Sequence, residues 1–232
     1  SFVLLKNEKN VLPFPAGKRV AVVGPHAVDR KAILGNYLGE ICPDATDNCV
    51  ENPFEAIAKR VGGGASASNL TVTSKGCDVN SNSTAGFQDA LDAAKASDYV
   101  VYVGGLDGTV ERESLDRVHG IGLPGNQADF LDKLLDIGKP TAVVLFHGGI
   151  LTFDDDLLAK MPALVSAGYP GFYGSEALAN ALFDGEADED LAVNRFGKST
   201  VTWYSDKGWK DAEFDVLGFS MTSGKGRTHV YY

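Results

Sequence analysis

The chain reads as α/β: a doubly wound three-layer sandwich on a mostly parallel sheet of about six strands. Three observations predict this. Short β-branched apolar runs recur, segments with helical spacing separate them, and the runs lack the polar alternation of strands that face water on one side.

The strand candidates, in order, are RVAVVG (19–24), LTVTS (70–74), YVVYVG (99–104), AVVLFHG (142–148), ALVSAGY (163–169) and STVTWY (199–204). Between them, NPFEAIAKRV (52–61) has Asn52 as a cap and Pro53 in the first turn, a sound helix start. AGFQDALDAAKAS (85–97) carries Phe87, Ala90, Leu91 and Ala94 on one helical face. LPGNQADFLDKLLDIGKP (123–140) does the same with Phe130, Leu131, Leu134 and Leu135, and stops at Gly138. GSEALANALFDG (174–185) opens on Ser175 as a cap and closes on Gly185. Residues 1–204 are read as the sandwich. The polar, aromatic stretch 205–232 is read as an irregular tail on the same domain.

In such sheets ligands sit beyond the carboxyl ends of the strands. That edge gathers residues 25–26, 105–117, 147–149 and 169–173. The candidates for substrate contact there are His26, Asp107, Arg117, His147 and Tyr173.

Composition narrows the ligand. The 232 residues carry a net charge of −10, which argues against a nucleic-acid partner and is compatible with a neutral one such as a sugar. The longest apolar runs are too short to cross a membrane. VVGPHA follows a strand but is not G-x-G-x-x-G, and no Walker pattern occurs, so no nucleotide cofactor is expected. The four histidines, His26, His119, His147 and His229, form no i, i+4 pair and no Cys/His cluster, so no metal is expected either. Cys42 and Cys49 bracket a short polar loop and could close a disulfide ring, leaving Cys77 over. The sequons at Asn69 and Asn82 lie in polar loops that would accept glycans. Together they predict a secreted glycoprotein.

The chemistry concentrates in GLDGTVERESLDR (105–117). Glu111 and Glu113 are two apart, so in an extended segment they point one way and Arg112 the other. Asp116 and Arg117 could pair locally and stiffen the loop. A Glu that holds a proton near neutral pH acts as a general acid, and glycoside hydrolysis needs one carboxyl group to protonate the leaving oxygen while another attacks or activates water. The same stretch read without that chemistry is a solvated acidic loop.

These residues also resemble the C-terminal α/β-sandwich domain of glycoside hydrolase family 3. SFVLLKNEKNVLPF looks like its opening, followed in order by KRVAVVGPHA, NYLG, GCDV, GLDGTVERESLDR, LPGNQ, AGYPGFYGSEALANALFDG and GRTHVYY. The block from GLD to LPGNQ is similar to the β-xylosidase and α-arabinofuranosidase branch. The resemblance implies an N-terminal (β/α)8 barrel as partner, a pocket between the two domains, an Asp nucleophile on the barrel, and a Glu on the sandwich as acid/base. Carried onto this chain, that Glu is Glu111 first and Glu113 second. The implied substrate is a β-linked pentose or hexose glycoside. The two carboxylates of a retaining mechanism stand ~5 Å apart, and this chain supplies one, so alone it is expected to be inactive. Two segments depart from the family pattern: Gly171-Phe-Tyr-Gly-Ser175 and Asn194-Arg-Phe-Gly-Lys-Ser-Thr200. A non-catalytic carbohydrate-binding or protein-interaction module is the alternative, with Tyr169, Phe172, Tyr173, Trp203, Tyr231 and Tyr232 as its aromatic surface. A flavodoxin-like flavin binder is a third reading.

Overall fold

The computed structural model describes residues 2–15, 17–62, 69–117, 120–183, 195–211 and 220–222. The strands are β1 (Val3–Asn7), β2 (Val20–Val23), β3 (Thr71–Ser74), β4 (Tyr99–Gly105), β5 (Thr141–Phe146) and β6 (Ala163–Gly168). The helices are α1 (Pro53–Gly62), α2 (Phe87–Lys95), α3 (Gln127–Leu135), α4 (Asp155–Lys160), α5 (Gly174–Leu182) and α6 (Asp206–Asp211). The sheet order is β1-β6-β5-β4-β2-β3. Every pairing is parallel except β1 with β6. From β2 the chain runs outward to β3, then returns to β4 on the other flank of β2. The carboxyl ends of β2 and β4 therefore form the topological switch point.

Strand alternation divides the core in two. Val20, Val22, Val101, Val103, Val144 and Phe146 face α1 and α5. Ala21, Val23, Val100, Tyr102, Val143 and Leu145 face α2, α3 and α4. On the second side Phe130 is fully buried, with its ring 5.0 Å from that of Phe87 and 6.1 Å from that of Tyr102. Burying such a ring stabilises the fold by about 1.5–3 kcal/mol.

The α1 start is a reciprocal cap. The Glu55 N–H donates to Asn52 Oδ1 at 2.9 Å, and the Asn52 N–H donates to Glu55 Oε2 at 3.2 Å.

Three expectations need correction, and one strand was missed. The stretch 199–204 forms no strand. Trp203 instead sets its ring edge-on to His147, 5.3 Å away, because the sheet edge beside β6 is already taken by β1. β1 escapes the sequence reading because its half-buried, antiparallel residues lack the fully apolar character of the central strands. Ser175 is not a cap. Gly174 N donates to Gly171 O at 2.8 Å, which starts α5 one residue earlier and buries Ser175 inside it. The segment after 204 is not wholly irregular, since it contains α6. His119, Gly185, Asn194, His229, Tyr231 and Tyr232 lie outside the described residues.

Candidate active site

The acidic loop leaves β4 under tight backbone control. Gly105 has φ +120°, and a Cβ there would lie 2.1 Å from Phe146 O, so only glycine fits where β4 and β5 run out together. Gln127, fully buried at the start of α3, then fixes this strand end. Its Nε2 donates to Gly105 O and Val79 O, both at 2.8 Å. Its Oε1 accepts from Gly105 N at 2.8 Å and from the Tyr102 hydroxyl at 2.9 Å. All four hydrogen-bonding positions of the amide are used.

Past this clamp Asp107 shapes the first turn. Its Oδ1 accepts from Thr109 N at 2.8 Å and Thr109 Oγ1 at 2.5 Å, while its carbonyl accepts from the N–H groups of Val110 and Glu111, both at 3.1 Å. The chain next makes a tight hairpin. Arg112 N donates to Leu115 O at 3.1 Å and Leu115 N returns to Arg112 O at 2.9 Å, which leaves Glu113 and Ser114 at the tip. Ser114 has φ +64°.

The hairpin separates the two glutamates, against the expectation of an extended segment presenting both alike. Glu111 turns inward. Its Oε2 accepts from Arg117 Nε at 2.6 Å and its Oε1 from Gly149 N at 2.7 Å. Arg117 is thus the partner of Glu111, not of Asp116, and its Nη2 also donates to Ile150 O at 2.9 Å. Gly149 allows this approach, since a Cβ there would stand 2.7 Å from Arg117 Nη2 and 3.1 Å from each Glu111 oxygen. Glu113 is exposed, and the Tyr37 hydroxyl donates to its Oε2 at 3.4 Å.

Other predicted residues fall around this pair with different surroundings. Asp107, Glu111, Arg117 and the turn after His147 come together. Burial holds the His147 imidazole below its usual range, and its Nε2 shares a hydrogen bond of 2.7 Å with Ser166 Oγ. Tyr169 lies against Gly148. Burial first, then the negative charges of Glu111 and Asp107, push its phenol up to about 12. His26 is fully buried, with Nε2 3.0 Å from Leu106 O, Nδ1 3.5 Å from Asp29, and its ring stacked on Phe146. It ties the β2 end to the β4 end and offers no open face to a ligand. Tyr173 is 74% exposed at the head of α5, with the Phe172 ring edge-on at 5.1 Å. Cys42 and Cys49 form a disulfide, and Cys77 is free and buried, which pushes its thiol up to about 12. Asn69 and Asn82 are both exposed. Among the described residues no group of His, Cys, Asp and Glu gathers as a metal cage, and no helix is long and apolar enough to cross a membrane.

Sequence reasoning gave no role to Gln127 or Tyr37. Gln127 was visible as the last letter of LPGNQ. Tyr37 sits in a Gly-flanked loop, GNYLG, where nothing in the spacing singled it out.

A carboxylate-rich hairpin thus stands at the switch point of a doubly wound α/β sheet. The chain belongs to the glycosyl hydrolase family 3 C-terminal domain family, whose model matches residues 2–230. It is similar to the probable exo-1,4-beta-xylosidase bxlB of Aspergillus flavus, with 39% identity over 236 residues covering 99% of this chain and 27% of that protein. It is also similar to the probable beta-D-xylosidase 7 of Arabidopsis thaliana, with 34% identity over 236 residues covering 99% of this chain and 28% of that protein. Among solved structures, the GH3 exo-beta-xylosidase XlnD in complex with a xylobiose aziridine activity-based probe superimposes with a TM-score of 0.77. The identity is 30%, over 100% of this chain and 28% of that one. The beta-glucosidase from Listeria innocua, at 22% identity and a TM-score of 0.65 over 78% of this chain and 23% of that one, shares the fold. The chain thus spans only about a quarter of the length of the relatives it matches.

Proposed function

We propose that this chain is the acid-bearing half of the active site of a retaining, exo-acting β-glycosidase of β-xylosidase type. In this reading Glu113 is the general acid/base. It protonates the glycosidic oxygen as the sugar leaves, then takes a proton from the water that releases the glycosyl intermediate. Glu111, although the first choice from the motif, is the anchor: Arg117 and Gly149 N–H occupy both its oxygens, and this pinning sets the hairpin that carries Glu113. The nucleophile comes from a (β/α)8 barrel outside these 232 residues. The observation that carries the reading is the contrast between one buried-side, doubly tethered carboxylate and one exposed carboxylate at a hairpin tip. The xylosidase names of the relatives support a β-linked xyloside as substrate.

The test joins this chain to the barrel of a related xylosidase and compares E113Q with E111Q. E113Q should lose ~10²–10⁴-fold in kcat on alkyl xylosides and far less on activated aryl xylosides, which need little protonation. Full activity of E113Q on poor leaving groups, with that pattern appearing in E111Q instead, assigns the acid to Glu111 and refutes the assignment to Glu113.

Residues 1–204 are read as the sandwich and 205–232 as a tail of the same domain, a reading supported by a family match that runs to residue 230. Secretion and N-glycosylation at Asn69 and Asn82 are supported by the disulfide and by the exposure of both sequons. A mass unchanged by deglycosylation of the protein from its native source would refute the glycans. The exposed Phe172–Tyr173 pair favours a second reading, a non-catalytic sugar-binding module. Oligosaccharide binding by a barrel-joined protein that never hydrolyses would support it.

A further inference from the structure

The loop 35–50, which follows β2 on the switch point, has no role in the reading above, yet it touches the hairpin that carries Glu113. Tyr37 is 84% exposed, the most open of the large apolar side chains among the described residues. A tyrosine left in water at that level buries little of its ring, so packing does not account for it. Its hydroxyl reaches the Glu113 carboxylate, and Asn36 Oδ1 lies 3.2 Å from where a Cβ on Gly108 would be, so the loop runs along the outer side of the hairpin.

The loop is held at both ends. At its start, Gly35 has φ +81° and lies against the Tyr169 ring, while Gly171 N donates to Ile33 O at 2.9 Å. At its far end the Cys42–Cys49 disulfide closes it, and Arg30 clamps it by donating to Val50 O and pairing both guanidinium nitrogens with Glu55. An exposed aromatic on a loop fixed this way is preorganised to bind, because little ordering entropy remains to be lost.

We propose that Tyr37 is a specificity-determining residue, the wall of the sugar site on the leaving-group side, held in register by the Cys42–Cys49 ring. This rests on Glu113 as the acid: a group in contact with the carboxylate that protonates the leaving oxygen lies next to whatever that oxygen carries. The open ring face suits the C–H face of a pyranose, and the exposed Leu38 beside it extends the apolar strip. The ligand class is therefore an oligosaccharide with a sugar as its leaving group, rather than a glycoside with a small alkyl one.

The test uses the 232-residue chain itself with xylotriose as probe, followed by NMR with ring-labelled tyrosine. Saturable shifts of the Tyr37 ring signals are expected. Y37A should weaken binding about 10-fold or more, Y37F less than about 2-fold, and the C42S/C49S double variant by an amount between these. Y37A is a safe variant because its side chain is exposed, and unchanged signals from the core tyrosine Tyr102 verify its fold. Absence of any Tyr37 shift at saturating solubility of the probe, or Y37A binding equal to wild type, overturns the proposal. Neither result touches the assignment of Glu113, which stands or falls on the leaving-group dependence of E113Q.

Discussion

Replacing Gln127 by Leu tests how the acidic loop is held. The substitution keeps the volume and removes four buried hydrogen bonds at once. Gly105 N–H, Gly105 C=O, Val79 C=O and the Tyr102 hydroxyl each lose their recorded side-chain partner. A buried polar group left unpaired costs about 1–3 kcal/mol, with carbonyls at the low end because they have a second lone pair. The sum is about 4–8 kcal/mol, and the extra apolar burial of Leu returns about 1, for a net loss of about 3–7 kcal/mol. Guanidinium unfolding should report this as a lower midpoint at unchanged slope. Tyr102→Phe alone should cost about 1 kcal/mol, yet in the Gln127→Leu background it should be neutral or stabilising, because it deletes a hydroxyl already orphaned. A Gln127→Leu protein within about 1 kcal/mol of wild type, or additive effects of the two changes, would refute the clamp.

Two further expectations follow from the geometry. Gly149→Ala drives a methyl to 2.7 Å from Arg117 Nη2 and 3.1 Å from the Glu111 oxygens, so it should cost about 1–3 kcal/mol in the same unfolding assay; a neutral effect would mean that the ion pair is not where Glu111 is held. At low pH, Asp29 should limit stability. Burial opposes its charge, but the His26 imidazole 3.5 Å away and hydrogen bonds from the N–H groups of Ala32 and Lys31 outweigh it and bring its carboxyl down to about 2. A folded-state value below the unfolded one gives stability that is present above about pH 4 and is lost as pH falls toward 2, here ~2 kcal/mol. Asp29→Asn should flatten that acid limb, and an unchanged pH profile would remove Asp29 from it.

The sheet was legible because its inner strands are apolar throughout, a pattern that survives without any knowledge of neighbours. β1 was not legible because an antiparallel edge is only half buried, and 199–204 misled because an apolar run that packs on a surface has the same letters as one in a sheet. The start of α1 was readable down to Asn52, since a capping box is local. The role of Ser175 was not, since the Pro170–Gly171 turn decides where α5 begins.

For the site, the letters of residues 105–117 determined that ionisable groups cluster at the end of β4, because chain order alone brings them there. Which glutamate is tethered was decided only by the fold. The partners of Glu111 include Gly149 from the far end of β5, and the parity rule for residues two apart fails once the chain turns back at Glu113 and Ser114. Tyr37 and Gln127 belong to the same category: their meaning is a distance across loops, and one-dimensional spacing carries no distances between segments that meet only when the sheet closes.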